Sequence, residues 1–185
     1  MSSKKVIELF YDVVSPYSWL GFEVMCRYRN VWNIELKLRP AFLGGIMQGS
    51  GSLSAMRFVA AVQEREKGGD QQVEQVSREL WRRIWSQDKD ITEPASLSEA
   101  AMKAGLSASE TEELLKLSTS KEIKDKLKST TQEALDHGAF GFPLVVCHVN
   151  GKAEMFFGSD RFELMAHCIG EQWVGPQPGK SAAKL

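Results

Sequence analysis

The chain has 185 residues, and its 23 basic and 24 acidic side chains leave a formal net charge of −1. This balance argues against a dedicated nucleic-acid binder, which needs a basic excess to neutralise phosphates. The composition, 43% hydrophobic and 25% charged, is typical of a soluble globular protein that folds without a disulfide or metal staple. No apolar run approaches the roughly 18 residues of a membrane span, so we predict none.

The cysteines and histidines indicate neither a disulfide framework nor a metal site. Cys26, Cys147 and Cys168 are odd in number and widely spaced, which does not fit paired disulfides or zinc ligation. The three histidines lack metal-ligand spacing, so we predict no metal. The N-terminus carries no apolar stretch followed by a small-residue cleavage site, which argues against secretion.

The C-terminus consists of a polar tail rich in glycine and proline that ends in Ala183-Lys184-Leu185. This tripeptide is a near variant of Ser-Lys-Leu, the address read by the peroxisomal import receptor. The alternative is a chance match of three residues. We predict a peroxisomal location.

The first forty residues predict a β-α-β unit. Residues 6–13 are apolar and rich in strand-forming types. Ser15 is a favoured N-cap and Pro16 a favoured first helical residue. Apolar residues then recur at helical spacing to about Asn30, and residues 33–40 alternate apolar and polar as a second strand.

Helical periodicity dominates the middle of the chain, after a stretch rich in glycine. Glycine, proline and capping residues divide it into five predicted helices. These begin at Ser52 or Ser54, after Asp70, near Pro94, after Ser107 and at Lys121, and the last one ends near His137.

The second of these helices carries two tryptophans and a run of arginines. We interpret Trp81 and Trp85 as residues that pack in the core or in an interface rather than as a surface that stacks on a ligand. We interpret Arg78, Arg82 and Arg83 as a solvated helix face rather than a phosphate site.

Strand character returns near the C-terminus. Residues 143–149 and 153–157 flank Asn150-Gly151, the pair preferred in a type I′ hairpin turn. A last amphipathic helix follows, with Phe162 as its first apolar residue.

The order of elements predicts an α/β protein with a thioredoxin-like four-stranded sheet. In this interpretation residues 1–51 and 138–185 form the thioredoxin-like domain. Residues 52–137 form an inserted all-helical domain that packs as a second lobe.

The candidate reactive group lies where the first strand meets the first helix. A helix N-terminus offers unpaired N–H groups and a partial positive charge, and both favour a thiolate. Ser15-Pro16-Tyr17-Ser18 occupies this place, and serine cannot form a disulfide, so direct dithiol exchange is excluded here. Ser15 can donate a hydrogen bond to a thiolate brought by a substrate. The alternative is that Ser15 is merely an N-cap.

Two further motifs favour a peptide-like ligand. Phe142-Pro143 precedes the third strand, where thioredoxin folds place a cis-proline that faces the helix N-terminus. The backbone of Phe142 would then pair with the ligand as an added strand, unless Pro143 is an ordinary trans-proline. Ser159 and Asp160 could hold the charged end of a small peptide, or they could form a plain helix cap.

A set of motifs together resembles the kappa class of glutathione transferases. The related 2-hydroxychromene-2-carboxylate isomerases and disulfide oxidoreductases share the architecture but fewer of these motifs. The motifs are residues 10–12, 15–21, 39–40, 77–81, 90–94, 139–143, 157–161 and 170–173.

The resemblance implies a homodimer with glutathione as cosubstrate, no bound cofactor, and a peroxisomal and mitochondrial location. The implied reaction is attack of the glutathione thiolate on a small electrophile such as a haloarene, with peroxide reduction as a side activity. The implied glutathione site consists of Ser15, Pro16, Tyr17, Phe142, Pro143, Ser159 and Asp160.

Each part of this implied site has its own role. Ser15 would hydrogen-bond the thiolate, with Pro16 and Tyr17 beside it. Phe142 would pair with the cysteinyl backbone. Ser159 and Asp160 would hold the γ-glutamyl end.

The chain departs from the family pattern after Gly51, where a segment of about forty residues is absent, far more than ordinary loop variation. In the family this segment supplies an asparagine and a lysine that contact glutathione, and no residue here inherits those roles. Two alternatives therefore stand beside the transferase. One is a shortened, catalytically weak form that binds glutathione-like peptides and dimerises, and the other is a glutathione-dependent isomerase.

Overall fold

The computed structural model describes residues 3–45, 51–66 and 69–179, so the terminal Ala183-Lys184-Leu185 lies outside the described residues. Within these ranges the chain forms four strands, seven α-helices and a short 3-10 helix at Leu43–Gly45. The strands are β1 (Lys5–Tyr11), β2 (Ile34–Pro40), β3 (Leu144–Val149) and β4 (Lys152–Phe157). The helices are α1 (Pro16–Tyr28), α2 (Leu53–Glu66), α3 (Gln71–Gln87), α4 (Pro94–Lys103), α5 (Ala108–Ser118), α6 (Lys121–Asp136) and α7 (Phe162–Ile169).

The strands form one mixed sheet in the order β2-β1-β3-β4. β1 pairs in parallel with β2, and β3 pairs antiparallel with β1 and with β4. The predicted thioredoxin-like α/β fold is confirmed. α2 to α6 lie between β2 and β3 in the chain, within the range predicted for the helical insert.

The β3–β4 hairpin turns at Asn150 and Gly151, as predicted. Their φ angles are 50° and 76°, so both central residues adopt the left-handed backbone conformation that a type I′ turn requires. Glycine and asparagine adopt this conformation at the lowest cost among L-residues. The turn fixes a register in which Val149 faces Lys152.

The main hydrophobic core joins the sheet to α1 and to the inserted helices. Trp81 lies at 0% exposure within it, with ring centroids 4.9 Å from Phe22 and 5.6 Å from Tyr11. The packing role predicted for Trp81 is confirmed. Trp85 is instead half exposed.

The interpretation of the arginines as a solvated face is wrong for Arg83. Its side chain is buried; Nε donates to the carbonyl oxygen of Asp90 at 3.0 Å, and Nη1 lies 2.6 Å from Glu99 Oε2. A guanidinium can be buried when several of its donors are paired. Arg83 therefore links the end of α3 to α4 rather than facing solvent.

Candidate functional site

Ser15 caps the N-terminus of α1. Ser15 has an extended backbone, with φ −86° and ψ 118°, and its Oγ accepts the Ser18 N–H at 3.1 Å. Pro16 occupies the first turn, which contains no acidic residue. Ser15 is thus an N-cap, and no acidic residue of the first turn offsets the partial positive charge of the helix end.

Ser15 makes a second bond that a simple cap would not need. Its hydroxyl donates to the carbonyl oxygen of Phe142 at 3.2 Å, across 127 residues of sequence. The side chain of Ser15 is nearly buried, so this bond fixes the end of α1 against the segment before β3. Two of the predicted site residues therefore lie in direct contact.

The Phe142–Pro143 peptide bond is cis, and the trans alternative is wrong. The carbonyl oxygen of Pro143 accepts the Gly158 N–H at 2.9 Å. A Cβ atom built on Gly21 of α1 would lie 3.2 Å from Pro143 Cγ and 3.9 Å from Ser159 Cβ. α1, the proline and the Ser159 turn therefore converge at one place, where a side chain at Gly21 would press against Pro143.

Ser159 and Asp160 do not cap the last helix. α7 has Arg161 at its N-cap position and no side-chain capping bond, so the plain-cap alternative is wrong. The Asp160 side chain is 74% exposed, and its Oδ1 lies 3.8 Å from Arg161 Nε. This carboxylate is open to a ligand.

An apolar surface adjoins these groups. Tyr17 and Leu20 on α1 are 65% and 58% exposed, which is high for large apolar residues. A cavity of about 530 Å³ lies between α1 and the start of α7, and Leu20, Ser159 and Asp160 are among its lining residues. The cavity thus brings the Asp160 carboxylate and Leu20 together, whereas Ser15, Tyr17 and Phe142 are not among its lining residues.

Trp81 supports the site in a way that the sequence did not indicate. Its Nε1 donates to the carbonyl oxygen of Ser15 at 3.1 Å, and the Trp19 N–H donates to the same oxygen at 3.2 Å. The capping residue is therefore held through both its side chain and its backbone. Helical periodicity identified Trp81 as a core residue, but no local signal connects it to Ser15.

Asp12 is a second supporting residue that the sequence analysis missed. It follows β1, is fully buried, and accepts hydrogen bonds from the Val14 N–H at 2.9 Å, the Leu43 N–H at 2.7 Å and the Ser52 hydroxyl at 2.7 Å. Burial raises the pKa of the Asp12 carboxyl to about 6, while these hydrogen bonds act in the opposite direction. Asp12 thus ties the loop before α1 to the segments on both sides of residues 46–50.

In the part of the chain that the structure describes, no group of three or more histidine, cysteine, aspartate or glutamate side chains is arranged to hold a metal. In the same ranges, no helix has the length and apolar character needed to cross a bilayer.

The chain is similar to proteins of the DsbA-like thioredoxin domain family, whose model matches residues 6–170. It is 43% identical to glutathione S-transferase kappa 1 from Homo sapiens, over 98% of each chain. Among solved structures it is similar to a putative protein disulfide isomerase from Nitrosomonas europaea, with a TM-score of 0.71 and 16% identity over 90% of this chain and 96% of that one. A 2-hydroxychromene-2-carboxylate isomerase gives a TM-score of 0.62 and 17% identity, over 89% and 94% of the two chains.

The alignment with the human protein is longer than this chain. It spans 224 positions, which is 39 more than the 185 residues of this chain. This agrees with the shortening inferred from the motifs, although the alignment length does not locate it. The low identity to the solved structures shows the fold alone, whereas 43% identity over almost the whole chain shows the family. The chain belongs to the kappa class of glutathione S-transferases, within the DsbA-like thioredoxin family.

Proposed function

We propose that the protein binds glutathione at the N-terminus of α1 and conjugates its thiolate to small electrophiles. The hydrogen bond from Ser15 Oγ to the Phe142 carbonyl oxygen, at 3.2 Å, carries the proposal. It brings a hydroxyl donor suited to a thiolate next to a backbone acceptor suited to a peptide N–H. This is the combination that a cysteinyl unit needs.

Glutathione binding would exchange this internal bond for two bonds to the ligand. The cysteinyl N–H would donate to the Phe142 carbonyl oxygen, as in the addition of a strand. The Ser15 proton would turn toward the sulfur. Ser15 Oγ and the Phe142 carbonyl oxygen would each keep a partner in this exchange, so the exchange itself would leave neither of them unpaired.

The sulfur would then lie at the positive end of α1. The helix dipole and the Ser15 hydroxyl both stabilise the thiolate relative to the thiol, so the thiol proton is released to solvent. With a haloarene, the thiolate forms a carbon–sulfur bond and the halide leaves with the bonding electron pair. With a peroxide, the thiolate sulfur forms a bond to one oxygen as the O–O bond breaks and the other oxygen leaves as alkoxide or hydroxide. The thiol of a second glutathione then attacks the resulting sulfenic acid, which gives glutathione disulfide and water.

The remaining groups suit the γ-glutamyl unit of glutathione and the electrophile. The Asp160 carboxylate would pair with the α-ammonium of the γ-glutamyl unit, because it is exposed and the last helix does not use it as a cap. Ser159 and the backbone N–H groups of the same turn would hold the γ-glutamyl carboxylate. Tyr17 and Leu20 provide an exposed apolar surface beside Ser15 for an apolar electrophile.

Calorimetry with glutathione, followed by a haloarene conjugation assay, tests the function. We expect saturable binding and turnover. S-methylglutathione is the matched control ligand, because it retains the peptide contacts, has no thiol to ionise and should give no conjugation. Absence of glutathione binding would overturn the proposal.

A weakly active or inactive binding form is the second candidate. The alignment positions without a counterpart in this chain, at least 39 of them, favour it, because the chain lacks residues that its human relative has. Binding without conjugation would support this candidate. Turnover of 2-hydroxychromene-2-carboxylate without haloarene conjugation would instead indicate the isomerase.

The proposal includes a homodimer and a peroxisomal location, with a mitochondrial location implied by the family. Ala183-Lys184-Leu185 supports import into peroxisomes. A fusion with a fluorescent protein at the N-terminus is expected to enter peroxisomes, and removal of these three residues should leave it outside them. An unchanged distribution after the truncation would remove the tripeptide as the address.

A further inference from the structure

Ser18 has a buried hydroxyl group without a hydrogen-bond partner among the described residues. It lies in the first turn of α1, three residues after Ser15, at 0% exposure. Among the described residues, none forms a hydrogen bond with Ser18 Oγ. A buried hydroxyl without a partner lowers stability, so such groups are rare and need an explanation.

A common acceptor for a helical serine is occupied here. A serine hydroxyl in a helix can donate to the carbonyl oxygen three or four residues earlier. The carbonyl oxygen of Ser15, three residues earlier, already accepts from Trp81 Nε1 at 3.1 Å and from the Trp19 N–H at 3.2 Å. Two donors use both lone pairs of a carbonyl oxygen, so the Ser18 hydroxyl finds none there.

Ser15 Oγ is a nearby acceptor with a lone pair available. It accepts the Ser18 N–H at 3.1 Å and donates to Phe142, which leaves one of its two lone pairs unused. Covalent geometry keeps a serine hydroxyl within about 4 Å of its own backbone nitrogen. Both hydroxyl oxygens therefore lie near the Ser18 backbone nitrogen, and rotation about the Ser18 χ1 angle changes the distance between them.

We propose that Ser18 is a positioning residue, whose hydroxyl donates to Ser15 Oγ when Ser15 turns its own proton from the Phe142 carbonyl to a bound thiolate. This inference rests on the proposed glutathione site. A hydroxyl that accepts a further hydrogen bond is a stronger donor, so Ser15 holds the sulfur more firmly as a thiolate. Ser18 is fully buried and acts through Ser15, without touching the sulfur.

Titration of glutathione bound to the protein, followed by thiolate absorbance in the ultraviolet, tests the inference. We expect Ser18→Ala to raise the pKa of the bound thiol by about half a unit, roughly a threefold loss of thiolate at a pH below that pKa. In a Ser15→Ala background, Ser18→Ala should have no further effect. Ser129→Ala, at an exposed position of α6, is the control and should leave the titration unchanged.

The same variants separate this role from a structural one. Thermal unfolding of Ser18→Ala should occur at the wild-type temperature or above, because the change removes an unpaired buried hydroxyl. A wild-type thiol titration in Ser18→Ala, with a clear shift in Ser15→Ala, would overturn the inference and leave the glutathione site standing. Equal shifts from Ser18→Ala in both backgrounds would also overturn it. Absence of glutathione binding, or no shift in Ser15→Ala, would overturn the inference and the site together.

Discussion

Replacement of Ser15 by alanine is expected to lower kcat/KM for haloarene conjugation by about 100-fold, the usual effect of removing one preorganised hydrogen-bond donor from a developing or resident negative charge. The methyl group cannot donate to the sulfur, so less of the bound glutathione is ionised. Glutathione should still bind, because Phe142 and Asp160 remain. The rate is measured below the pKa of the bound thiol, where the loss of thiolate is largest.

Ser15→Ala also removes the N-cap of α1, which costs about 1 kcal/mol of stability. Ser120→Ala is the matched control, because Ser120 caps α6 by accepting the Ile123 N–H at 3.2 Å. Ser15→Ala should lose at least as much stability as Ser120→Ala, because it also loses the bond to Phe142, and only Ser15→Ala should lose conjugation. If the two variants conjugate at equal rates, Ser15 is a helix cap and nothing more.

Replacement of Asp12 by alanine is expected to lower the free energy of unfolding by about 3 kcal/mol or more. The carboxylate is fully buried and accepts hydrogen bonds from Val14, Leu43 and the Ser52 hydroxyl. Each buried donor that loses its acceptor costs about 1–3 kcal/mol. Urea unfolding measures the loss.

Asp125→Ala is the control for this prediction. Asp125 is exposed and pairs with Lys121 on the surface of α6, where an ion pair contributes little to stability. A loss in Asp12→Ala no greater than in this control would show that the Asp12 hydrogen bonds do not hold the loop.

Asp12 also gives stability a definite pH dependence. Burial raises its pKa in the folded protein to about 6, from 3.8 for an unperturbed carboxyl. Between these values the folded state binds a proton that the unfolded state does not, so stability from this group rises as pH falls through about 6 and levels off near 4. Burial also raises the pKa of Asp70 to about 6, so both groups act in the same direction. The free energy of unfolding should differ less between pH 5 and pH 7 in Asp12→Asn than in wild type. Asp70→Asn, measured separately, gives the contribution of Asp70.

The parts of the fold that the sequence predicted correctly depend on local signals. Asn150-Gly151 specifies its own turn, and Ser15-Pro16 marks the start of α1, because the backbone conformation there favours those residue types. The contacts that bring the site residues together, in contrast, join residues that are far apart in the sequence. The bond between Ser15 and Phe142 joins residues 127 positions apart, and it follows from how β1 and β3 pair.

The residues that the sequence analysis missed or misread are polar groups inside the packed structure. Helical periodicity shows that a face is buried, but it does not show which polar atom that face will meet. For this reason Trp81 was identified as a packing residue without its bond to Ser15, and Arg83 was assigned to solvent although it is buried. Asp12 carries no signal beyond its place at the end of a strand.

The position of Asp12 has a consequence for how the length of this family can vary. Its carboxylate holds Leu43 on one side and Ser52 on the other, so it fixes the two ends between which a connecting segment must run. The entropy lost on closing a flexible loop grows only with the logarithm of its length. Segments of very different length can therefore join these two residues at similar cost, while the start of α1 keeps its place.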